Sequence, residues 1–311
     1  MQKKIFDNVN IKGFTLIELM VAILIVGVLS GLIIAMISMS GAQDNANLNK
    51  NKMTAAQWKN SLIDNLVGDW NFDETSGTTA YNSSDYGSNL NGTFSASPPT
   101  RKSGGDCISG GCLEFDGTDD FVSVTDSTPF LPLADSTVAL WAYNGLCTKS
   151  YPTFYNRHSQ SATLGFWWVY TGGTNETNIT WQFSNGTAYT STTWSNVFEA
   201  SKWSYLVFAY NNTAKTVTLY VNSTAKTTQS VANALPVLSG TLYVGAYNAT
   251  VSNYAYKGKI DELQVFDKIL TVSQIQQKYF AGVNKLLARG EISIADYAER
   301  LASLKSLSAG R

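Results

Sequence analysis

The N-terminal part of the chain contains a long apolar run. It extends from Phe14 to Met39, reads FTLIELMVAILIVGVLSGLIIAMISM, and has Glu18 as its one charged residue. A helix of this length spans about 39 Å, more than the roughly 30 Å hydrocarbon core of a bilayer. Three lysines among the first 13 residues outweigh one aspartate, so we expect a cytoplasmic N-terminus and export of the rest. The pattern therefore predicts a transmembrane helix over residues 14–39.

The pattern beyond the apolar run is amphipathic. From Gln43 to Leu66, apolar residues recur among Asn, Lys and Gln, and no proline interrupts them. We expect one helix over residues 14–65. The asparagine-rich part is a weak helix former, so a loose stalk is the alternative.

From Val67 onward the pattern changes to short alternating runs separated by Gly, Asn, Asp and Ser. Many short strands of this kind indicate an all-β fold, and a two-sheet antiparallel jelly-roll sandwich is the economical architecture. The joint AYNNTAKTV between WSYLVFAY and KTVTLYVN predicts a hairpin. The chain has no long-period repeat, which disfavours a propeller or a solenoid. We predict the sandwich over residues 66–270.

The end of the chain, residues 271–311, has the pattern of a short helical tail. ILTVSQIQQKYF begins with a candidate N-cap, Thr271 or Ser273, and apolar residues at helical spacing follow on both sides of Gly290. The tail also resembles a short C-terminal helical module of many bacterial proteins. Its role is either oligomerisation or docking, or simple packing on the sandwich.

Composition excludes several classes of function. The chain has 22 Lys+Arg against 23 Asp+Glu, a net charge of -1, so we expect no nucleic-acid partner. With one His and three Cys, a His-rich metal centre, a zinc ribbon or a Cys–His nucleophile is hard to build. The low charged fraction, 14%, indicates a surface rich in Thr, Ser, Asn and Gly, which is common outside the cytoplasm.

The segment KGFTLIELMVAILIVGVLSGL resembles the class III signal of type IV prepilins and of the related pseudopilins of type II secretion. The resemblance implies a leader over residues 1–13, cleavage by prepilin peptidase between Gly13 and Phe14, and N-methylation of Phe14. It also implies that Glu18 pairs with the Phe14 amine of a neighbouring subunit. A carboxylate in lipid costs about 2.5 kcal/mol or more, which agrees with such a pairing. A signal peptide or a plain membrane anchor is the alternative, but a plain anchor leaves Gly13 and Glu18 unexplained.

The same resemblance implies a location and a set of partners. The precursor would lie in the inner membrane with its N-terminus cytoplasmic and its C-terminal domain outside, and the mature subunit would lie in a pilus at the cell surface. The implied partners are other pilin subunits, prepilin peptidase and the inner-membrane assembly machinery.

Four segments of the sandwich resemble the LamG-like jelly roll of the concanavalin A-like lectin and glucanase superfamily. They are GDWNFDETSGTTAYNSSDYGSNLNGTF, GGCLEFDGTDDFVSV, KWSYLVFAYNNTAKTVTLYVN and YKGKIDELQVFDKILTVSQIQQKY. The resemblance implies two curved antiparallel sheets, a face or rim able to bind glycans or protein, and often a structural Ca²⁺. The region from Leu146 to Asn196 matches no part of the family pattern.

Some members of that superfamily are glycoside hydrolases, which need two carboxyl groups about 5 to 9 Å apart. Glu114 and Asp116 lack the last acid of the usual E-x-D-x-E motif. Asp261 and Glu262 are adjacent in the sequence, so on a strand they point to opposite faces. His158 has no nearby partner in sequence. We therefore predict that the chain is not an enzyme.

A structural Ca²⁺ is the one cofactor that we expect, because calcium binds clusters of carboxylate and carbonyl oxygens. The candidate ligands are acids in loops or at strand ends: Asp69, Asp73, Asp116, Asp119, Asp120 and Asp261. The alternative is that Asp116, Asp119 and Asp120 shape a turn and that Asp261 anchors loop amides.

Aromatic residues are the candidate glycan ligands, because sugar rings stack on aromatic faces. The candidates fall in the unassigned middle region: Trp167, Trp168, Tyr170, Trp181 and Trp194. The alternative for each residue is a place in the core.

The cysteines fit an exported domain. Cys107 and Cys112 bracket the glycine-rich turn Ile-Ser-Gly-Gly, and we predict a disulfide between them. Cys147 is then left over, either buried or as a free thiol.

We therefore expect a type IV pilin-like filament subunit that displays a lectin-like domain for adhesion to glycans or other surfaces. The alternative has the same anatomy but makes the chain a structural pilin or a secretion pseudopilin, with the sandwich as a spacer that binds no ligand.

Overall fold

The computed structural model describes residues 65–125, 135–158, 166–172, 177–184, 189–231, 240–250 and 252–308. These residues form 17 strands, β1 to β17, and two α-helices. In chain order, the strands are Leu66–Trp70, Thr79–Ala80, Gly92–Phe94, Thr100–Ser103, Gly111–Asp116, Val122–Val124, Ser136–Asn144, Thr153–His158, Phe166–Gly172, Asn178–Ser184, Tyr189–Trp194, Trp203–Asn211, Thr216–Val221, Thr224–Ala225, Gln229–Ser230, Leu242–Val244 and Lys257–Phe266. The helices are α1, Val272–Ala288, and α2, Ile294–Ser308.

The strands form two antiparallel sheets. Sheet A has the order β14-β13-β12-β7-β17-β5-β4, with β1 paired to β17 and β15 paired to β13. Sheet B has the order β11-β10-β9-β8-β16-β6-β3-β2. The predicted hairpin is present as β12 and β13, which pair from Asn211 opposite Thr216 to Leu206 opposite Val221. The predicted two-sheet jelly-roll sandwich is therefore confirmed, and the unassigned middle region supplies β8 to β11.

The core lies between the sheets and follows the alternation of the strands. In β7, Val138 and Leu140 face sheet B, where they join Trp181 and Phe183 of β10 in one buried cluster. The residue between them, Ala139, belongs to a second buried cluster on the outer face of sheet A. The central strands of sheet A are thus buried on both faces, which explains their almost continuous apolar sequence.

Helix α1 covers the outer face of sheet A. Its buried residues recur at helical spacing: Ile275, Tyr279, Val283 and Leu286. They pack on Trp141 and Tyr205, and Tyr279 stacks on Trp141 with ring centroids 5.7 Å apart. Thr271 is the N-cap, because its side chain accepts from the Gln274 amide and Gln274 accepts from the Thr271 amide. The first part of the helical tail is therefore packed on the sandwich.

The leader over residues 1–13 and residues 14–64 of the predicted helix over 14–65, with its apolar part over 14–39, lie outside the described residues. Asn65, the last residue of that predicted helix, lies in a turn. Neither α1 nor α2 in the described ranges combines the length and apolarity that crossing a membrane requires.

Candidate functional site

Five of the predicted site residues have no described side chain. Gly13, Phe14 and Glu18, the predicted processing and assembly residues, lie outside the described residues. Trp167 and Trp168 lie in β9, where their backbones pair with β10, but their side chains are outside the described part as well.

The prediction of Tyr170, Trp181 and Trp194 as an exposed aromatic platform is wrong. Trp181 is fully buried and Trp194 is 4% exposed, and both belong to the core between the sheets. The indole of Trp194 donates to the Thr227 carbonyl at 2.7 Å. Tyr170 is 9% exposed and packs edge-on against Tyr151 at 5.5 Å. Strand alternation turns the two indoles toward sheet A, so no face is left for a sugar to stack on.

Three of the six predicted metal ligands come together in the loop between β5 and β6. In Asp116, Asp119 and Asp120, one carboxylate oxygen from each residue lies within 4.8 Å of the others. The Asp116 amide donates to Oδ2 of Asp120 at 2.6 Å, and the Thr118 amide donates to Oδ1 of Asp116 at 2.7 Å. Gly117 has a φ of +85°, a conformation that favours glycine. Hydrogen bonds to these acids therefore shape the turn, which is the alternative role given in the sequence analysis. The three carboxylates also lie together, and we call them the acidic cluster.

The electrostatics of the acidic cluster suit a cation. Burial raises the pKa of Asp120 to about 6, and the charges of Asp116 and Asp119 add to the rise, while the hydrogen bond from the Asp116 amide opposes it. A divalent cation would offset this repulsion. Carboxylate oxygens are the hard donors that Ca²⁺ prefers, so the acidic cluster fits a calcium ion.

Asp69 and Asp73 have structural partners away from the acidic cluster. Asp69 accepts from the Gln264 side chain at 2.9 Å, and burial raises its pKa. Asp73 accepts from the Gly111 amide at 2.6 Å and so fixes the start of β5. Among the described residues, neither carboxylate belongs to the acidic cluster, so the prediction of Asp69 and Asp73 as ligands of that site is corrected.

Asp261 is also committed to protein donors. It is fully buried under α1, and its Oδ2 accepts from the amides of Ile108 at 2.8 Å and Ser109 at 3.0 Å. Burial raises its pKa to about 8, with a further rise from the charge of Glu262 and a fall from the hydrogen bonds that the amides donate. The prediction of Asp261 as a metal ligand is corrected, and its alternative role as an anchor of loop amides is confirmed.

The predicted disulfide is confirmed. Cys107 and Cys112 are joined by an S–S bond, with their Cα atoms 5.4 Å apart. Cys147 is buried, and its Sγ donates to the Ala255 carbonyl at 3.4 Å.

The sequence analysis missed Tyr151, Tyr247 and Tyr254, which form a group with Tyr170 that we call the tyrosine group. Tyr151 stacks on Tyr254 at 5.8 Å with 22° between the ring planes, and Tyr247 lies against Tyr254 at 5.0 Å. Tyr151 is 43% exposed, and Tyr247 and Tyr254 are partly exposed. Burial raises the pKa values of Tyr170 and Tyr247. The sequence signal was three tyrosines in the segment YNATVSNYAY, of which Tyr247 and Tyr254 belong to the group.

The acidic cluster and the tyrosine group lie at the same end of the sandwich. Asp116 at the end of β5 pairs with Lys257 at the start of β17, directly after the loop that carries Tyr254. A Cβ at Gly117 would lie 3.7 Å from the Cys147 sulfur, so the acidic loop contacts the loop that leads to Tyr151. We call this end, formed by residues 116–121, 145–152, 245–250 and 252–256, the loop rim.

Comparisons with known proteins match both parts of the chain. The sequence model described as the concanavalin A-like lectin/glucanases superfamily matches residues 116–276. The model of the prokaryotic N-terminal methylation motif matches residues 9–34. No curated protein matches the chain.

Several solved structures with a similar fold are described as binding domains. The receptor binding domain of botulinum neurotoxin mosaic serotype C/D matches with a TM-score of 0.55 and 16% identity, over 70% of this chain and 51% of that chain. The ligand binding domain of botulinum neurotoxin serotype D, in complex with N-acetylneuraminic acid, has a TM-score of 0.55 and 16% identity over 71% and 52%. The binding domain of Paraclostridial Mosquitocidal Protein 1 has a TM-score of 0.54 and 12% identity over 70% and 52%. This chain spans about half the length of these proteins, and such identities show the fold alone.

Proposed function

Because the chain belongs to the concanavalin A-like lectin/glucanases superfamily and carries a prokaryotic N-terminal methylation motif, we propose that it is a type IV pilin-like filament subunit that displays a lectin-like domain for adhesion to glycans. The motif supports the filament half of the proposal. The family and the loop rim support the binding half.

The proposed processing and assembly of the subunit follow from its N-terminal motif. The precursor sits in the inner membrane with a cytoplasmic N-terminus, and prepilin peptidase cleaves it between Gly13 and Phe14. The apolar helix then enters a filament, where Glu18 pairs with the Phe14 amine of a neighbouring subunit. A buried ion pair of this kind specifies how subunits register even where it adds little net stability. Other pilin subunits and the assembly machinery are the partners.

The observation that carries the binding half is the meeting of the acidic cluster and the tyrosine group at the loop rim. Sugar rings stack on aromatic faces, and amide side chains bond sugar hydroxyls. The rim offers both, because Tyr151 and Asn253 are exposed beside the partly exposed Tyr254. Calcium at Asp116, Asp119 and Asp120 would hold the neighbouring loop in one conformation. The proposed ligand is a glycan bound at this rim with Ca²⁺ as the supporting ion.

The proposed binding is noncovalent and involves no hydrolysis. Glu114, the acid that precedes Asp116 on β5, forms an ion pair with Lys102 at 2.9 Å. Repetition of a modest site along a filament raises avidity without any new contact, which favours a weak binder on a polymer.

Mass spectrometry of sheared surface filaments tests the filament half. We expect a peptide that starts at N-methylated Phe14. A chain that starts at Met1, or the absence of the chain from filaments, would contradict the proposal.

Binding of filaments to glycans tests the loop rim. We expect Tyr151→Ala and Tyr254→Ala each to weaken binding at least tenfold in the presence of Ca²⁺. Tyr81→Ala is the matched control, because Tyr81 is 59% exposed and follows β2, the edge strand of sheet B, outside the loop rim. Equal binding by all three variants would move the site away from the loop rim. Absence of binding by the unaltered filaments would favour the spacer alternative.

A further inference from the structure

Apart from the loop rim, a cleft lies on the outer face of sheet A, beside the connection between α1 and α2. It has a volume of about 450 Å³, which is within the usual range of about 300 to 1,000 Å³ for small-molecule sites. Its floor is formed by Tyr143 of β7, Trp203 of β12 and Lys259 of β17, and its wall by Ile292 and Arg300 of the helical tail. We call it the tail cleft. The proposed function does not require it.

The floor of the tail cleft is an aromatic surface that α1 leaves uncovered. Tyr143 and Trp203 pair across β7 and β12, and their rings meet edge to face with centroids 5.8 Å apart. Both side chains are partly exposed, unlike Trp141 and Tyr205, the next outward-facing pair on the same two strands, which α1 buries. The ammonium of Lys259 lies 5.3 Å from the centre of the Tyr143 ring. Two partly exposed aromatic rings beside hydrogen-bond donors are therefore open to a ligand.

The charged side chains that line the tail cleft balance one another. Three cations and three anions contribute to its lining: Lys202, Lys259, Arg300, Asp106, Glu291 and Asp296. Lys259 forms an ion pair with Asp106, and Arg300 donates to the Tyr279 hydroxyl at 3.0 Å. Hydrogen bonds from Ser293 lower the pKa of Asp296, so its carboxylate stays an acceptor at neutral pH.

This balance selects a class of ligand. A singly charged anion or cation would meet as much repulsion as attraction, and a purely apolar ligand would displace water from the charged groups without replacing its hydrogen bonds. A ring that has apolar faces and an edge of hydroxyl groups uses the aromatic floor, the donors and the acceptors together. We propose that the tail cleft is a second binding site, which takes one or two rings of a neutral saccharide.

The site depends on the helical tail as well as on the sandwich. Asp296 and Arg300 of α2 face the cleft, and Leu286 at the end of α1 closes its inner side. The tail therefore has a role beyond covering sheet A, because it supplies one wall of a binding site.

The test uses the full chain in a detergent without sugar groups and a panel of neutral disaccharides: lactose, maltose, cellobiose and chitobiose. Ligand-observed saturation-transfer NMR reports binding. We expect at least one disaccharide to bind, with an affinity that falls at least tenfold in Trp203→Ala and in Arg300→Gln. Arg300 is on the surface of the tail, so the second variant remains informative if the first one folds poorly.

Tyr254→Ala separates this site from the loop rim. We expect this variant to bind the disaccharide through the tail cleft as well as the unaltered chain does, whatever becomes of binding at the rim. The proposal is overturned if no disaccharide of the panel binds. It is also overturned if Tyr254→Ala abolishes binding while Trp203→Ala and Arg300→Gln retain it.

Discussion

The carboxylate of Asp261 accepts a hydrogen bond from the Ile108 amide at 2.8 Å, although the two residues are 153 positions apart in the chain. This bond fixes the disulfide turn against β17 and directs Ile108, which is 1% exposed, into the cluster under α1. The sandwich, the disulfide turn and the helical tail are therefore joined through one buried carboxyl group.

The buried carboxyl of Asp261 predicts a pH dependence of stability. Burial raises its pKa to about 8 in the folded chain from an ordinary value of 3.8, so between these values the unfolded chain releases a proton that the folded chain keeps. The free energy of unfolding should therefore fall as pH rises from about 4 to 8, by at most about 1.4 kcal/mol per pH unit. Asp261→Asn should lack this contribution. Urea unfolding across that range checks it, and equal pH slopes for the two chains would contradict it.

Loss of the disulfide should loosen the helical tail before the sheets. Arg289 donates to the Cys107 carbonyl, and Lys285 donates to the Ser109 hydroxyl at 2.6 Å, so the turn holds the end of α1. Closing so short a loop contributes about 2 kcal/mol. We expect Cys107→Ser with Cys112→Ser to increase amide hydrogen exchange in α1 more than in β7 and β12. An equal increase of hydrogen exchange in α1, β7 and β12 would show that the disulfide turn does not stabilise α1 in particular.

Gly282 on α1 should resist replacement by alanine. A Cβ there would lie 2.4 Å from Cζ2 of Trp141 and 3.1 Å from the Ile108 side chain. Helix propensity alone favours alanine by about 1 kcal/mol, but overpacking of this kind costs about 1 to 3 kcal/mol. We expect Gly282→Ala to lower the melting temperature. A higher melting temperature would mean that α1 does not pack this closely on Trp141.

Calcium should stabilise the chain through the acidic cluster. At a Ca²⁺ concentration 100 times the dissociation constant, we expect about 2.7 kcal/mol of added stability, because the ion binds only the folded state. Asp119→Asn should weaken calcium binding at least tenfold, since Asp119 is exposed and supplies one of the three clustered oxygens. Asp85→Asn, at an exposed acid outside the cluster, is the control. Isothermal titration calorimetry measures both, and equal affinities would place the ion elsewhere.

The sequence predicts the parts of this molecule that depend on local pattern. The short apolar run TVALWAY predicts β7, and the glycine-rich turn between Cys107 and Cys112 predicts the disulfide, because neighbouring residues determine both. Strand geometry also places Trp141 on the face of β7 opposite to that of Leu140. It does not show that α1 buries that face, because the helix comes from far along the chain.

The candidate site was harder to predict for the same reason. Trp181 lies among other aromatic residues in the unassigned middle region, which made it a candidate glycan ligand. Only the packing of sheet B on sheet A shows that Trp181 belongs to the core. Tyr151 and Tyr254 meet through the pairing of β8 with β16 and the loop before β17, which no local pattern reports. In the sequence, Asp116 and Asp261 are both acids in strands. The structure separates them, because Asp261 is buried and accepts from loop amides, whereas Asp116 is exposed in the acidic cluster.

Binding of sheared filaments to a glycan array in Ca²⁺ tests the central claim most directly, because it requires the chain to be in a filament and to recognise a sugar. We predict that filaments with the unaltered chain bind at least one class of glycan through the loop rim. Filaments with Tyr151→Ala and Tyr254→Ala together should lose that class, and should keep only saccharides that bind at the tail cleft. Filaments that contain the chain but bind no glycan, or that bind equally well without these two tyrosines, would contradict the account.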